Sequence, residues 1–159
     1  MATLKATRTA QYVLAAEFIA NFGDSMLDVN GVLKTFGSVY TDAGTFEVIP
    51  LPLGAVIVDG ELIVEKQGVG PTAYTMAVGD SGTGNDLLAA SSLLGADGTA
   101  YPFTCDTANG TSNTGMMKQN DGKNVRITIA STVANATAGK FRVRVRYTID
   151  NRANEVNAM

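Results

Sequence analysis

Near the end of this 159-residue chain the stretch Lys140 to Asp150, KFRVRVRYTID, alternates so strictly that it admits one local geometry. Side chains on a β-strand point to opposite faces with a period of two. Val143, Val145, Tyr147 and Ile149 therefore share one face, and Arg142, Arg144 and Arg146 share the other. The apolar face needs a core to cover it. The arginine row needs water, carboxylates or a partner. Asn124 to Ile129 alternates in the same way, with Val125, Ile127 and Ile129 opposite Arg126 and Thr128. Two such strands so close in sequence predict antiparallel pairing, with Arg126 on the arginine side.

The rest of the chain reads as further strands and turns. Seventeen glycines against four prolines, with many Thr, Ala, Asn, Asp and Ser residues, suit short strands joined by polar turns. Gln11 to Phe22 reads as a strand. Gly23 to Asp42, with Met26, Leu27, Val29, Val32 and Leu33 scattered along it, reads as a long loop that packs some apolar side chains inward. Thr45 to Ile49 is a strand closed by Pro50-Leu51-Pro52-Leu53-Gly54, a break that no central strand accommodates. Ala55 to Lys66 is a long strand, buried in places on both faces and re-aimed by a bulge at Gly60. Ala73 to Val78 is a short strand, and Leu87 to Leu94 has the composition of one or two helical turns. Gly95 to Lys123 is loop with one or two short edge strands. These elements predict an all-β fold, an antiparallel sandwich with long loops. Residues 1–20 form an N-terminal arm or edge strand, and residues 21–159 a single sandwich domain.

The composition removes most routes to catalysis. The chain has no histidine, and so lacks the commonest general base and transition-metal ligand. Gly79-Asp80-Ser81-Gly82 and Gly23-Asp24-Ser25-Met26 look like nucleophile loops, but neither serine has an imidazole to activate it. The lone cysteine, Cys105, forms no intrachain disulfide and fits a small apolar filler. Asp80 to Asp86, DSGTGND, lacks the spacing and terminal glutamate of a calcium loop. We therefore expect no enzyme activity, no metal and no cofactor. No apolar stretch approaches the roughly twenty residues that cross a bilayer, and no membrane partner is expected.

The net charge of -3 is unevenly spread. Residues 1 to 117 carry 4 basic and 12 acidic side chains, and residues 118 to 159 carry 8 and 3, giving -8 and +5. Within one domain this asymmetry creates complementary strands or complementary subunit surfaces. Tryptophan is absent and aromatic residues are few, so direct nucleic-acid binding is not expected of the arginines. They are left to pair with Glu61 and Glu65 or to meet another protein. Lys5 and Arg8 in the small, polar, basic start of the chain join Arg126, Arg142, Arg144 and Arg146 as candidate interface residues.

Three segments together, FEVIPLPLGAVIVDGELIVEK, YTMAVGDSGTGNDLLAASSL and TAGKFRVRVRYTIDNRA, resemble the small decoration, or cement, proteins of tailed-bacteriophage heads. The shared elements are the Leu-Pro-x-Gly-Ala turn at Leu51 to Ala55 and the valine-rich strand with a glycine at Val56 to Val64. The Val-Gly-Asp-Ser-Gly loop at Val78 to Gly82 and the strand after Thr-Ala-Gly at Thr137 to Ile149 complete the pattern. It spans residues 44 to 150, and neither the first 40 residues nor 95 to 123 contribute. The resemblance implies a jelly-roll type sandwich that oligomerises as a dimer or trimer and binds the major capsid protein. It further implies a head-stabilising role on the outer capsid surface of a virion assembled in the host cytoplasm. The other class open to such a fold is a carbohydrate- or receptor-binding sandwich on a virion surface.

Overall fold

The structure, a computed structural model, describes residues 13–39, 44–80, 86–104, 118–119 and 124–149. Its strands in chain order are β1 (Leu14–Asn21), β2 (Ser25–Leu27), β3 (Leu33–Thr35), β4 (Gly44–Ile49), β5 (Ala55–Val69) and β6 (Ala73–Gly79). They continue with β7 (Leu88–Ser92), β8 (Thr99–Pro102), β9 (Lys118–Gln119), β10 (Val125–Thr132) and β11 (Ala138–Ile149). One sheet has the order β1-β11-β5-β8, with β9 also pairing β5, and the other has the order β4-β10-β6-β7. All pairings are antiparallel. Setting aside β9 and the β2–β3 hairpin, the eight strands nest from the outside inward. β1 pairs β11, β4 pairs β10, β5 pairs β8 and β6 pairs β7, with successive pairs falling in alternate sheets. This is the winding of a jelly roll, and the fold is the all-β antiparallel sandwich that the alternating strands predict.

That winding overturns one expectation. β10 and β11 are consecutive, yet β10 lies between β4 and β6 while β11 lies between β1 and β5. Arg126 is therefore in the sheet opposite the arginine row. The physical reason lies in the connection, where Val133 (φ 74°) and Gly139 (φ 146°) turn the chain across the sandwich instead of folding it back as a hairpin.

The core fills the space between the two inner faces. Val125, Ile127 and Ile129 from β10 and Phe141, Val143 and Val145 from β11 are buried there with Leu62, Val64, Met76 and Val78. Phe36 is the aromatic hub. Its ring meets Phe46 at 4.9 Å, Phe141 at 5.8 Å and Phe18 at 6.0 Å, all edge to face. Its backbone carbonyl accepts the buried Tyr74 hydroxyl at 2.9 Å.

Around Phe36, the segment expected to be a loop is organised by the β2–β3 hairpin. The buried Asp28 carboxylate accepts the N–H groups of Asn30 and Val32, both at 2.9 Å, and Lys34 Nζ lies 3.0 Å away. The Val32 N–H foremost, with Lys34, holds that carboxyl below its usual range against the opposing effect of burial. Of the five apolar side chains scattered along this segment Met26 packs against the core, whereas Leu27, Val29, Val32 and Leu33 are exposed, Leu33 to 68%. A hairpin ordered by a polar turn can hold its shape while standing off the core, and Phe36 fills the core in place of these residues.

Two other local expectations also change. Leu88–Ser92 is strand, not helix: its cross-strand partners are Thr75, Met76 and Val78, and Leu87 and Leu88 are buried while Ala89 and Ala90 face solvent. Ladder bonds to β6 override the helical preference of leucine and alanine. In β5 the register runs Asp59 to Arg146 and Ile57 to Tyr147, so the extra residue is Val58 rather than Gly60. The bulge switches the inward set from Ala55 and Ile57 to Leu62 and Val64. Gly60 has a different task, since a Cβ there would lie 2.3 Å from Phe103 Cε2 and 2.5 Å from the Arg144 carbonyl oxygen.

Candidate functional site

The outer face of the first sheet is built by three strands in register. β11 carries Lys140, Arg142, Arg144 and Arg146 outward, because its alternate residues Phe141, Val143 and Val145 are committed to the core. On one side β1 brings Glu17 opposite Arg144. On the other, the Val58 bulge turns Asp59 and Glu61 outward opposite Arg146 and Arg144, and Glu65 also reaches this face. Without that extra residue the strand would bury its carboxylates and expose Leu62 and Val64.

Four cations and four carboxylates then interlock. Arg144 Nε donates to Glu17 Oε1 at 2.7 Å and its Nη1 to Glu61 Oε1 at 3.3 Å. Arg142 bridges Glu65 and Glu17, the latter at 3.5 Å. Lys140 Nζ lies 2.7 Å from Glu65 Oε2, and Arg146 pairs Asp59 through both Nε and Nη2. Lys140 first, then Arg142, holds the Glu65 carboxyl below its ordinary value, while Glu17 raises the Arg144 guanidinium. Arg142 Nε is buried without a hydrogen-bond partner among the described residues. The residues directly opposite Arg142 are Ile19 and Ile63, so its carboxylate partners, Glu17 and Glu65, are reached diagonally through the two Nη groups.

Arg126 makes a separate pair on the second sheet. Its Nη2 lies 2.6 Å from Glu47 Oε1, and Asn124 Nδ2 donates to Glu47 Oε2 at 2.9 Å. Asn124 first and Arg126 second lower the Glu47 carboxyl. An open groove of about 340 Å³ runs from this pair to Met26, Leu27 and Val29 of the hairpin.

Of the candidate interface residues, the structure thus brings Arg142, Arg144 and Arg146 together and sets Arg126 apart, while Lys5 and Arg8 lie outside the described residues. Glu61 and Glu65 are partners of the row as the sequence suggested. Glu17, Asp59 and Glu47 were missed, although the alternate residues Leu14, Ala16, Phe18 and Ala20, all apolar, were a usable sign that Glu17 between them faces away from the core. Ser25 Oγ shares a 2.7 Å hydrogen bond with Thr35 Oγ1 across the β2–β3 hairpin, and Asp24 caps Asn21, so both side chains have structural partners. Ser81 and Cys105 lie outside the described residues, as do residues 81–85 of the Asp80 to Asp86 string; the Asp80 N–H donates to Asp86 Oδ1 at 2.9 Å. Among the described residues no group of three His, Cys, Asp or Glu side chains is placed to hold a metal ion. None of their helices is long and apolar enough to cross a membrane.

No protein-family model matches the chain, and no curated protein matches it in sequence. Solved structures do match in fold. A chain of the cyanophage Pam1 capsid asymmetric unit is 22% identical, with a TM-score of 0.58 over 93% of this chain and 94% of that one. A chain of the acid-stable capsid of Helicobacter pylori bacteriophage KHP30 is 17% identical, with a TM-score of 0.54 over 88% of this chain and 90% of that one. A chain of the capsid of Ralstonia phage GP4 is 18% identical, with a TM-score of 0.50 over 92% and 91%. The jelly-roll sandwich is thus a fold this chain shares, over 88–93% of its length, with chains found in phage capsids.

Proposed function

We propose that this protein is a structural component of a phage virion that decorates the outside of the head and stabilises it by bridging capsid subunits. The observation that carries this reading is the whole-length fold likeness to chains of three phage capsids. The chemistry is in keeping with it. The arginine row is matched by carboxylates of its own sheet, which suits a stiff, well-ordered surface more than a catalytic one.

In this role the partner is the major capsid protein, and binding only the assembled shell stabilises the shell by mass action. Arg142, Arg144 and Arg146 contribute as a polar, nearly neutral contact surface whose pairs exchange partners at the joint, and the Arg126–Glu47 pair offers a second contact on the opposite sheet. Lys5 and Arg8 add positive charge from the N-terminal arm. Cosedimentation with expanded heads that lack the protein tests the reading directly. Saturable, stoichiometric binding to intact heads is expected, with a higher temperature of head disruption. Absence of such binding would remove the basis of this reading, and absence together with specific hits on a glycan array would replace it with surface recognition.

A further inference from the structure

An edge strand offers unpaired N–H and C=O groups to any chain that can lie beside it. β1 and β8 are the path ends of the first sheet, β4 and β7 of the second. Three of these are blunted. β8 is four residues long and ends in Pro102, and β7 carries an extra residue between Leu88 and Ser91 that breaks its register with β6. On β4 the Thr45 carbonyl is taken by the Val29 N–H of the hairpin. β1 is blunted only at its last residue, where Asp24 occupies the outward groups of Asn21. Its eight residues, LAAEFIAN, contain no proline, lysine or arginine and pair with β11 without a register shift. Its single charge, Glu17, is engaged with Arg142 and Arg144.

The ladder identifies which backbone groups remain open. Phe22 N–H donates to the Gly139 carbonyl at 3.0 Å, which marks a hydrogen-bonded pair, and such pairs alternate along an antiparallel ladder. Even-numbered residues of β1 therefore bond to β11, and odd-numbered ones turn toward the edge. At Asn21 that outward side is already satisfied by Asp24, whose Oδ2 accepts the Asn21 N–H at 2.7 Å and whose N–H donates to the Asn21 carbonyl at 3.1 Å. Ala15, Glu17 and Ile19 remain, with Val13 continuing the line, and no described strand pairs with them from this side.

We propose that this edge receives β1 of a second copy, antiparallel about a two-fold axis through Ala16, so that the two first sheets run on as one. Register selects the axis. An axis through Glu17 sets two carboxylates directly opposite each other, a repulsive arrangement. An axis through Phe18 sets Ala15 against Asn21, whose groups Asp24 occupies. Through Ala16, Ala15 exchanges hydrogen bonds with Glu17 and Val13 with Ile19. Val13 and Ile19, exposed to 51% and 44%, then cover each other on the outer face, and the exposed Leu14 meets Phe18 on the inner. Small side chains at Ala15 and Ala16 allow the approach. An open groove of about 170 Å³ between Ile19 and Met26 leaves the far end of the edge accessible.

The inference rests on strand geometry alone, so it stands or falls separately from head binding. Sedimentation equilibrium of the full chain should show a monomer–dimer association. Ala15→Pro removes one outward N–H per copy, hence two intersubunit hydrogen bonds, and should raise the dissociation constant about thirtyfold. Ile19→Lys should also weaken the dimer, and it carries the test if circular dichroism shows that the proline variant does not fold. In a Cys105→Ser background, Ala16→Cys should oxidise to a covalent dimer, because 16 opposite 16 is a non-hydrogen-bonded pair with Cα atoms about 4.5 Å apart. Ser25→Cys should not. A strictly monomeric or trimeric chain would overturn the proposal. So would a dimer that keeps its affinity in the folded variants or fails to crosslink at position 16.

Discussion

Gly60→Ala probes the junction on which the ion-paired face depends. Gly60 lies opposite Val145 in the centre of the first sheet, and the Phe103 N–H donates to its carbonyl at 2.9 Å, tethering a ring that folds over it. An added Cβ meets Phe103 Cε2 at 2.3 Å and the Arg144 carbonyl oxygen at 2.5 Å, each about 1 Å inside ordinary contact. The ring can swing away at the loss of its packing, but the carbonyl belongs to β11, which is held by β1 on one side and β5 on the other. Overpacking typically destabilises by about 1–3 kcal/mol, and a backbone obstacle puts this site near 3. In a chain of this length that corresponds to a fall of about 6–12 °C in Tm. Urea unfolding with an unchanged m-value is the assay, and Gly23→Ala, with nothing within 4 Å of its added Cβ, is the control, expected within about 0.5 kcal/mol of wild type. Phe103→Ala should be less damaging in the Gly60→Ala background than alone, since it relieves the ring overlap there. Gly60→Ala indistinguishable from the Gly23→Ala control would refute the close-approach argument.

Truncating the aromatic hub with Phe36→Ala should destabilise by about 3–5 kcal/mol in the same assay, and a loss under 1 would mean the site collapses or is not a hub. The Glu65 and Glu47 carboxyls are held below their ordinary 4.5, so their pairs contribute fully above that pH and lose their contribution as pH falls through the lowered values. The urea midpoint should therefore drop on acidification, and Glu65→Gln should weaken the protein at neutral pH while flattening this acid limb; an unchanged limb would exclude Glu65 as a source. Replacing Arg142, Arg144 and Arg146 with serine leaves Glu17, Asp59, Glu61 and Glu65 with Lys140 alone, so stability should fall and added salt should restore part of it. Salt should not have that restoring effect in the parent, where it screens attractions. Loss of head binding in this triple variant with its midpoint unchanged would make the arginines contact residues rather than ties within the sheet.

The alternation of Lys140 to Asp150 was legible because β-geometry acts residue by residue. Which side chains share a face follows from a period of two alone, and the buried Phe141, Val143 and Val145 show it. The break after Ile49 was equally local, since Pro50 and Pro52 cannot complete a ladder in a central strand. Leu88 to Ser92 was misread because local propensity there yields to a ladder supplied by β6. The bulge was placed near Gly60 correctly in kind but not in position, because pairing with β11 decides which residue is extra.

What the sequence determined by itself, then, was an all-β chain, the two faces of its alternating strands and the lack of histidine chemistry. Only the tertiary structure decided who stands beside whom. Glu17 reaches Arg144 across 127 positions and Asp59 reaches Arg146 across 87, while Arg126, much nearer in sequence, is in the other sheet. Strand faces depend on neighbours along the chain, whereas strand partners depend on how the whole chain winds, and that winding turned a row of free arginines into a matched ladder.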